Sequence, residues 1–409
     1  MELVIISDDL IGAAVAGAQV PDLCRRQLHL TSLDRLTREW ADCEGLAVTT
    51  ETRAATPPEA ALAMERAADL IRPLSPNLIY KKIDSCLRGQ VGLELAALVT
   101  HLERDGALVA PTCPAFSLVR ASSLPCEGGR HCPKGYRASE EGGQGPLLIP
   151  VYEGNEGLRA AVLARGHDLP TATLRLALVR RGAGAVAAEV YRILGAQSVP
   201  TLIVAEAETD SDLGILARAG LYFKERLVLS GAAAYAAALN QMVPDGVSLE
   251  APEVYPARPI FFFGEQTIQG GSTQIDFLVK SGLAQAAALE ADDLLSGPGW
   301  PVPPSGLLDQ DLALILPRTG TGRADVAALA RAFAFFAASL VAEAGPGTVF
   351  LSGAEVAPAM LRALKPRRLR LLAEMLPGII HLDTGDYSIL LQTGGFADET
   401  LLAHIYGCL

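Results

Sequence analysis

The chain opens on a short, β-branched apolar run, LVIIS, turns polar at Asp8 and Asp9, and continues into the small-residue stretch GAAVAGAQV. An apolar run, a polar turn and a helix former in that order predict strand, turn and helix. The pattern recurs. GLAVTT ends in Glu51, Thr52 and Arg53 and is followed by PPEAALAMERAADLI, with proline at its start and apolar residues at helical spacing. NLIYKKIDS and VGLELAALVTHLE make a third strand and helix, and GALVAP a further strand. Periodicity then gives way to Pro, Cys, Ser and Gly as far as residue 148. It resumes with TATLRLALV, AVAAEVYRIL, TLIVAEA, SDLGILARAG, RLVLSG and AAAYAAALN.

Strands alternating with helices predict a parallel sheet covered on both faces. Residues 242–259, MVPDGVSLEAPEVYPARP, are rich in proline and acidic residues and carry no period, which marks a domain boundary. Beyond it PIFFFGEQ, LALILPRTGTG and GTVFLSGAE are apolar runs broken by glycine turns, and ADVAALARAFAFFAASLVAEA predicts a long helix. The expected fold class is therefore α/β: two α/β domains, residues 1–241 and 260–409, with mainly parallel sheets and an interdomain cleft. A length of 409 residues exceeds the size at which one core usually stops growing, and half the chain is apolar, enough for two.

Charge and cysteine content narrow the function classes. A net charge of −12 with no basic block disfavours nucleic acid as a partner. The N-terminal apolar run is too short for a signal peptide, and no segment offers ~18 uninterrupted apolar residues, so the expectation is a cytoplasmic protein without a membrane partner. Seven scattered cysteines do not resemble a secreted disulfide framework. Cys113, Cys126, His131 and Cys132 are metal-ligand types in one loop but lack the paired spacing of structural zinc sites, and a surface loop with incidental thiols is the blander explanation.

In open α/β sheets ligands sit beyond the carboxyl ends of the strands. In the first domain those turns carry Asp8 and Asp9, then Glu51, Thr52 and Arg53, then Lys81, Lys82, Asp84, Ser85 and Arg88. In YKKIDSCLRGQVGLEL, Arg88 suits a carboxylate, Lys82 a second oxygen, and Asp84 a hydroxyl or its proton. The cluster fits a small polyhydroxy acid, while a charged helix N-terminus with no ligand is the plainer alternative. In the second domain Gly264, Gly353, Gly394 and Gly395 each follow a strand. Such turns let backbone N–H groups approach phosphates. Neither a Walker sequence nor the dinucleotide fingerprint is present, which counts against an NAD(P)-linked enzyme.

Together these stretches resemble the four-carbon acid sugar kinase family. SDDLIGA is similar to the family's DDLTGA, TETR to its T-x-S-R, and KKIDSCLRGQVGLEL to its KKIDSTLRGN-x-G-x-E-L. GEQTIQGGSTQI, SGAEVA and QTGGFADETL resemble its second-domain motifs. The resemblance implies a first domain binding a four-carbon sugar acid through Asp8, Arg53, Lys82, Ser85 and Arg88, and a second binding ATP with Mg²⁺ through Gly264, Gly353, Glu355, Gly394, Gly395 and Phe396. It further implies phosphoryl transfer in the cleft, with Asp84 as general base and Asp9 as the next candidate. Against the family pattern, Ile11, Val15, Cys86, Glu265, Ala354, Val356, Gln392 and Ala397 stand for other residues. A carboxylate at 265 and an amide for a cation at 392 would weaken phosphate binding, so a non-catalytic relative that binds a sugar acid or a partner protein is the alternative. A homo-oligomer is also compatible with the sequence.

Overall fold

The protein is described from a computed structural model covering residues 1–25, 27–84, 87–112, 136–139, 147–150, 166–244, 257–265, 285–287, 291–295, 311–316, 323–353, 355–376 and 378–393, with a few single positions besides. The chain divides into two compact units, Met1–Glu250 and Ala251–Leu409. The division falls within the aperiodic stretch 242–259, of which residues 245–256 lie outside the described ones.

The first unit begins β1 (Leu3–Ser7), α1 (Leu10–Ala18), β2 (Leu28–Ser32), β3 (Gly45–Thr49), α2 (Pro57–Ile71), β4 (Leu78–Lys82), α3 (Val91–His101) and β5 (Gly106–Ala110). After the antiparallel pair β6 (Tyr136–Ser139) and β7 (Leu147–Pro150) it adds β8 (Thr171–Leu174), β9 (Thr201–Ala205) and β10 (Leu227–Gly231). The main sheet runs β2-β3-β1-β4-β10-β5-β9-β8 and is parallel at every junction. Its central strands β1, β3, β4, β5, β9 and β10 are buried along their whole length. This is why they read as continuous apolar runs rather than as alternating ones. On one face Val4, Ile6, Val48, Ile79 and Val109 pack with Met64 and Ala68 of α2 and Leu95 and Leu98 of α3.

Two N-terminal capping devices fix where the helices begin, just past the turns. Thr56, the N-cap before Pro57, and Glu59 in the first turn form a capping box at the start of α2, and Asp9 caps α1 by accepting from the Gly12 amide at 2.7 Å. From β1 the chain moves out to β2, returns through β3 beside β1, and then crosses to β4 on the other side. The winding direction therefore reverses at β1, which leaves the ends of β3, β1 and β4 adjacent at the kind of switch point where open α/β sheets bind ligands. Ser7 is in register with Thr49 on one side and Lys82 on the other, so three loops leave the sheet at one level.

The second unit contains β11 (Ile260–Glu265), β12 (Gln285–Ala287), β13 (Leu312–Leu316), β14 (Thr348–Leu351), β15 (Arg370–Leu376), β16 (Ile379–Asp383) and β17 (Ser388–Gln392). Its order is β12-β13-β11-β14-β17-β16-β15, parallel as far as β17 and antiparallel over the last two junctions. The antiparallel part was not anticipated from the apolar runs; its signal is DTGD at 383–386, a turn with Gly385 at φ 91°. The long apolar helix Arg323–Ala344 includes a stretch, Val326–Ala344, that by length and composition alone could cross a membrane. Phe333, Ala337 and Leu340 on it are buried, and Phe333 meets Phe263 of β11 edge-on at 6.1 Å, the packing of a core helix.

Candidate functional site

Six charged side chains gather where β3, β1 and β4 end. Arg53 uses all three guanidinium nitrogens. Nε and Nη2 donate to Asp8 Oδ2 and Oδ1, each at 3.0 Å, while Nη1 lies 2.6 Å from Asp9 Oδ2 and 3.4 Å from Asp84 Oδ1. Arg88 folds back one helical turn onto Asp84, donating from Nε at 2.9 Å, Nη2 at 2.8 Å and its backbone N–H at 3.2 Å. Lys82 Nζ donates to the Ile83 carbonyl at 2.8 Å. The structure thus brings together Asp8, Asp9, Arg53, Lys82, Asp84 and Arg88; Ser85 and Cys86 lie outside the described residues.

Two glycines let this happen. Gly89 has φ +89°, and a Cβ there would stand 3.1 Å from Asp8 Oδ2. Gly12 sits under the Asp9 carboxylate, where a Cβ would overlap Asp9 Oδ1 and come within 2.6 Å of Ser7 Oγ.

The electrostatics separate the carboxylates. Burial pushes the Asp9 carboxyl up, reinforced by neighbouring Asp8, and Arg53, Lys82 and the Gly12 amide offset this only in part. Burial acts the same way on Asp84, but there the hydrogen bonds from Arg88 and the charge of Arg53 win and hold it down to about 2. Lys82 is lowered by burial, against the pull of Asp9, Asp8 and Asp84. Arg53 is raised, because its contacts with Asp8, Asp9 and Asp84 outweigh desolvation. Only Arg88 is well exposed, its side chain at 65%.

The layer beneath includes Glu94, which lies inside the motif KKIDSCLRGQVGLEL but to which sequence reasoning gave no role. It is buried and pairs with Lys81 at 2.8 Å, and it accepts from Thr52 Oγ1 at 2.6 Å. The available signal was a lysine and a glutamate that both fall on inward-facing positions of their elements, where a lone charge is not tolerated.

In the second unit β11, β14 and β17 are parallel neighbours, so Gly264, Gly353 and Gln392 stand at adjacent strand ends. Gly353 has φ +112°, and Glu355 is the N-cap residue of the helix Val356–Leu364. Ser352 Oγ donates to Gln392 Oε1 at 2.7 Å, while Gln392 Nε2 is buried and has no partner among the described residues. A left-handed glycine before a helix N-terminus is a fitting place for an anion such as a nucleotide phosphate. Gly394, Gly395, Phe396, Ala354 and Ala397 lie outside the described residues, as do the side chain of Glu265 and the whole of Cys113, Cys126, His131 and Cys132. Among the described residues no group of His, Cys, Asp or Glu is arranged to hold a metal ion.

Residues 3–123 match the family model described as a sugar-binding N-terminal domain, a span that contains the whole charged cluster. The chain is 25% identical to the D-threonate kinase of Salmonella typhimurium, over 99% of this chain and 98% of that one. It is 28% identical to the D-erythronate kinase of Heliobacterium modesticaldum over 53% of this chain and 47% of the relative. Among solved structures, a Haemophilus influenzae protein of the DUF1537 family superposes with a TM-score of 0.68 at 16% identity, covering 99% of each chain, which shows a shared fold. The fold is that of a two-unit α/β protein with a charged site at a sheet switch point. Its first unit matches the sugar-binding N-terminal domain model, and along nearly its whole length the chain is similar to D-threonate kinases.

Proposed function

We propose that the protein is an ATP-dependent kinase that phosphorylates the terminal hydroxyl of a four-carbon sugar acid of the threonate or erythronate kind. The observation that carries this reading is the pairing of one exposed guanidinium, Arg88, with three carboxylates around Arg53, of which Asp8 and Asp84 are buried. An acid anchored on Arg88 and Lys82 would lay its hydroxyls along Asp8 and Asp9. ATP, accompanied by Mg²⁺, would supply the phosphoryl group from the second unit, where the Gly264, Gly353 and Glu355 turns, with Gly394, Gly395 and Phe396, would receive it.

The general base is drawn from Asp84 and Asp9, and the ion pairs favour Asp9. A carboxylate held near 2 by two guanidiniums is a weak base, whereas one raised by burial is better matched to accept a hydroxyl proton. Asp84 then orders Arg88. Phosphoryl transfer asks mainly for positioning and charge neutralisation, so one such base suffices. Arg53, with every nitrogen engaged, serves to set Asp8 and Asp9 rather than to bind substrate.

The second reading, a relative that binds a sugar acid without turnover, draws on Gln392, whose neutral amide supplies no charge to a phosphate. A coupled assay with ATP·Mg²⁺ and each four-carbon acid, run beside a thermal-shift screen, separates the two. Turnover supports the kinase. Stabilisation by an acid without turnover supports the binder, and no response to any acid overturns both.

A further inference from the structure

Beside the charged cluster lies a second set of polar groups, buried at Lys81, Glu94 and Thr52. Lys81 at the end of β4 is 0% exposed and Glu94 on the first turn of α3 is 2% exposed, and their charged atoms meet at 2.8 Å. Thr52, itself buried, donates to the other Glu94 oxygen at 2.6 Å, and its hydroxyl meets that of Thr50 at 2.8 Å. Thr50 ties to Ser7 through both its hydroxyl, at 3.0 Å, and its backbone amide, at 2.9 Å. One continuous chain of hydrogen bonds therefore runs from β4 through α3 to the β3 loop and on to β1. Those are the same elements that carry Lys82 and Asp84, Arg53, and Asp8 and Asp9.

Burying an ion pair is a poor way to gain stability, because desolvation cancels much of the attraction, and apolar replacements of similar volume do as well or better. What the pair does supply is direction. Glu94 holds Thr52 at a fixed distance, and Arg53 is the next residue, whose amide donates to the Asp8 carbonyl at 3.2 Å. Without Glu94 the β3 loop keeps its backbone tie at Thr50 but loses the side-chain tie at Thr52.

We propose that Lys81, Glu94 and Thr52 form a positioning device that sets the Arg53 guanidinium among Asp8, Asp9 and Asp84 and so preorganises the sugar-acid site. This rests on the reading that the cluster binds a sugar acid. Lys81 holds one Glu94 oxygen at 2.8 Å, the other Glu94 oxygen accepts from Thr52, and Thr52 fixes the arginine that follows it.

The test replaces the pair with apolar groups, Lys81→Met together with Glu94→Leu, and separately makes Thr52→Val, which keeps shape and the ion pair but removes the hydroxyl. Melting temperature, D-threonate and D-erythronate affinity by calorimetry, and the titration of Asp84 by carboxyl ¹³C NMR are measured for each. The double variant is expected to melt within a few degrees of wild type yet bind about tenfold more weakly or worse. In it Asp84 should titrate above about 2, toward 3.8, as Arg53 loosens. Thr52→Val should show the same direction with a smaller change, and it decides the matter alone if the double variant does not fold. Unchanged affinity and unchanged Asp84 titration in a folded variant would overturn the proposal. If wild type binds neither acid, the substrate reading fails, and the Asp84 titration by itself then upholds or overturns the positioning role.

Discussion

Arg53 and Asp84 approach to 3.4 Å from different strands, and that contact joins the β3 loop to the β4 loop across β1. The same guanidinium grips Asp8 through two parallel hydrogen bonds and Asp9 through its third nitrogen. Removing it leaves three carboxylates facing one another with little water. Arg53→Ala should cost about 3 kcal/mol of stability by urea unfolding, in line with breaking a partly buried ion network. Arg53→Lys should recover only part of this, since an ammonium cannot replace a planar fork.

Asp9→Asn and Asp84→Asn should part company kinetically. If Asp9 accepts the hydroxyl proton, Asp9→Asn lowers kcat by roughly 10²–10⁴ with sugar-acid affinity nearly kept. Asp84→Asn should instead weaken affinity, because Arg88 loses the carboxylate that orients it. The reverse pattern in initial-rate and calorimetric data would return the base to Asp84.

Asp84 also predicts an acid limb of stability. Its carboxyl is depressed from 3.8 to about 2 in the folded protein, so its contribution is fully present above 3.8 and is lost as pH falls through about 2. The size is on the order of 2–3 kcal/mol. Comparing wild type with Asp84→Asn by urea unfolding between about pH 5 and 2 should show the difference shrinking across that window.

Arg88→Ala should weaken binding of a four-carbon acid by about 2 kcal/mol, the lower end for a charge partner because its side chain is 65% exposed. Added salt should erode the wild-type affinity more than that of the variant, which keeps only Lys82 as a cation partner. Equal affinities by calorimetry would remove Arg88 from the carboxylate site.

Gly12→Ala tests the fit under Asp9. Alanine favours a helix by about 1 kcal/mol over glycine, but its methyl would displace the carboxylate that caps α1, a loss of similar size. Melting temperature should therefore change little while sugar-acid affinity falls. A gain in stability with unchanged affinity would show that Asp9 has room to move.

Apolar runs separated by polar turns were enough to reveal the alternating strands and helices of the first unit, because strands buried on both faces carry uninterrupted Leu, Ile and Val. The cluster Asp8, Asp9, Arg53, Lys82, Asp84 and Arg88 was legible for a related reason: polar residues at the carboxyl ends of such strands interrupt an otherwise apolar pattern. Neither pattern could say which cation meets which anion. That Arg53 serves three aspartates, that Arg88 turns back onto Asp84, and that Asp9 and Asp84 are pushed in opposite directions all depend on distances across β3, β1 and β4. The sequence determined which residues stand at the strand ends. Only the tertiary structure decided their partners, because ion pairing is set by separations of a few ångströms between elements far apart in the chain. Glu94 makes the same point, since on α3 it is one acid among apolar neighbours until the fold lays Lys81 and Thr52 against it.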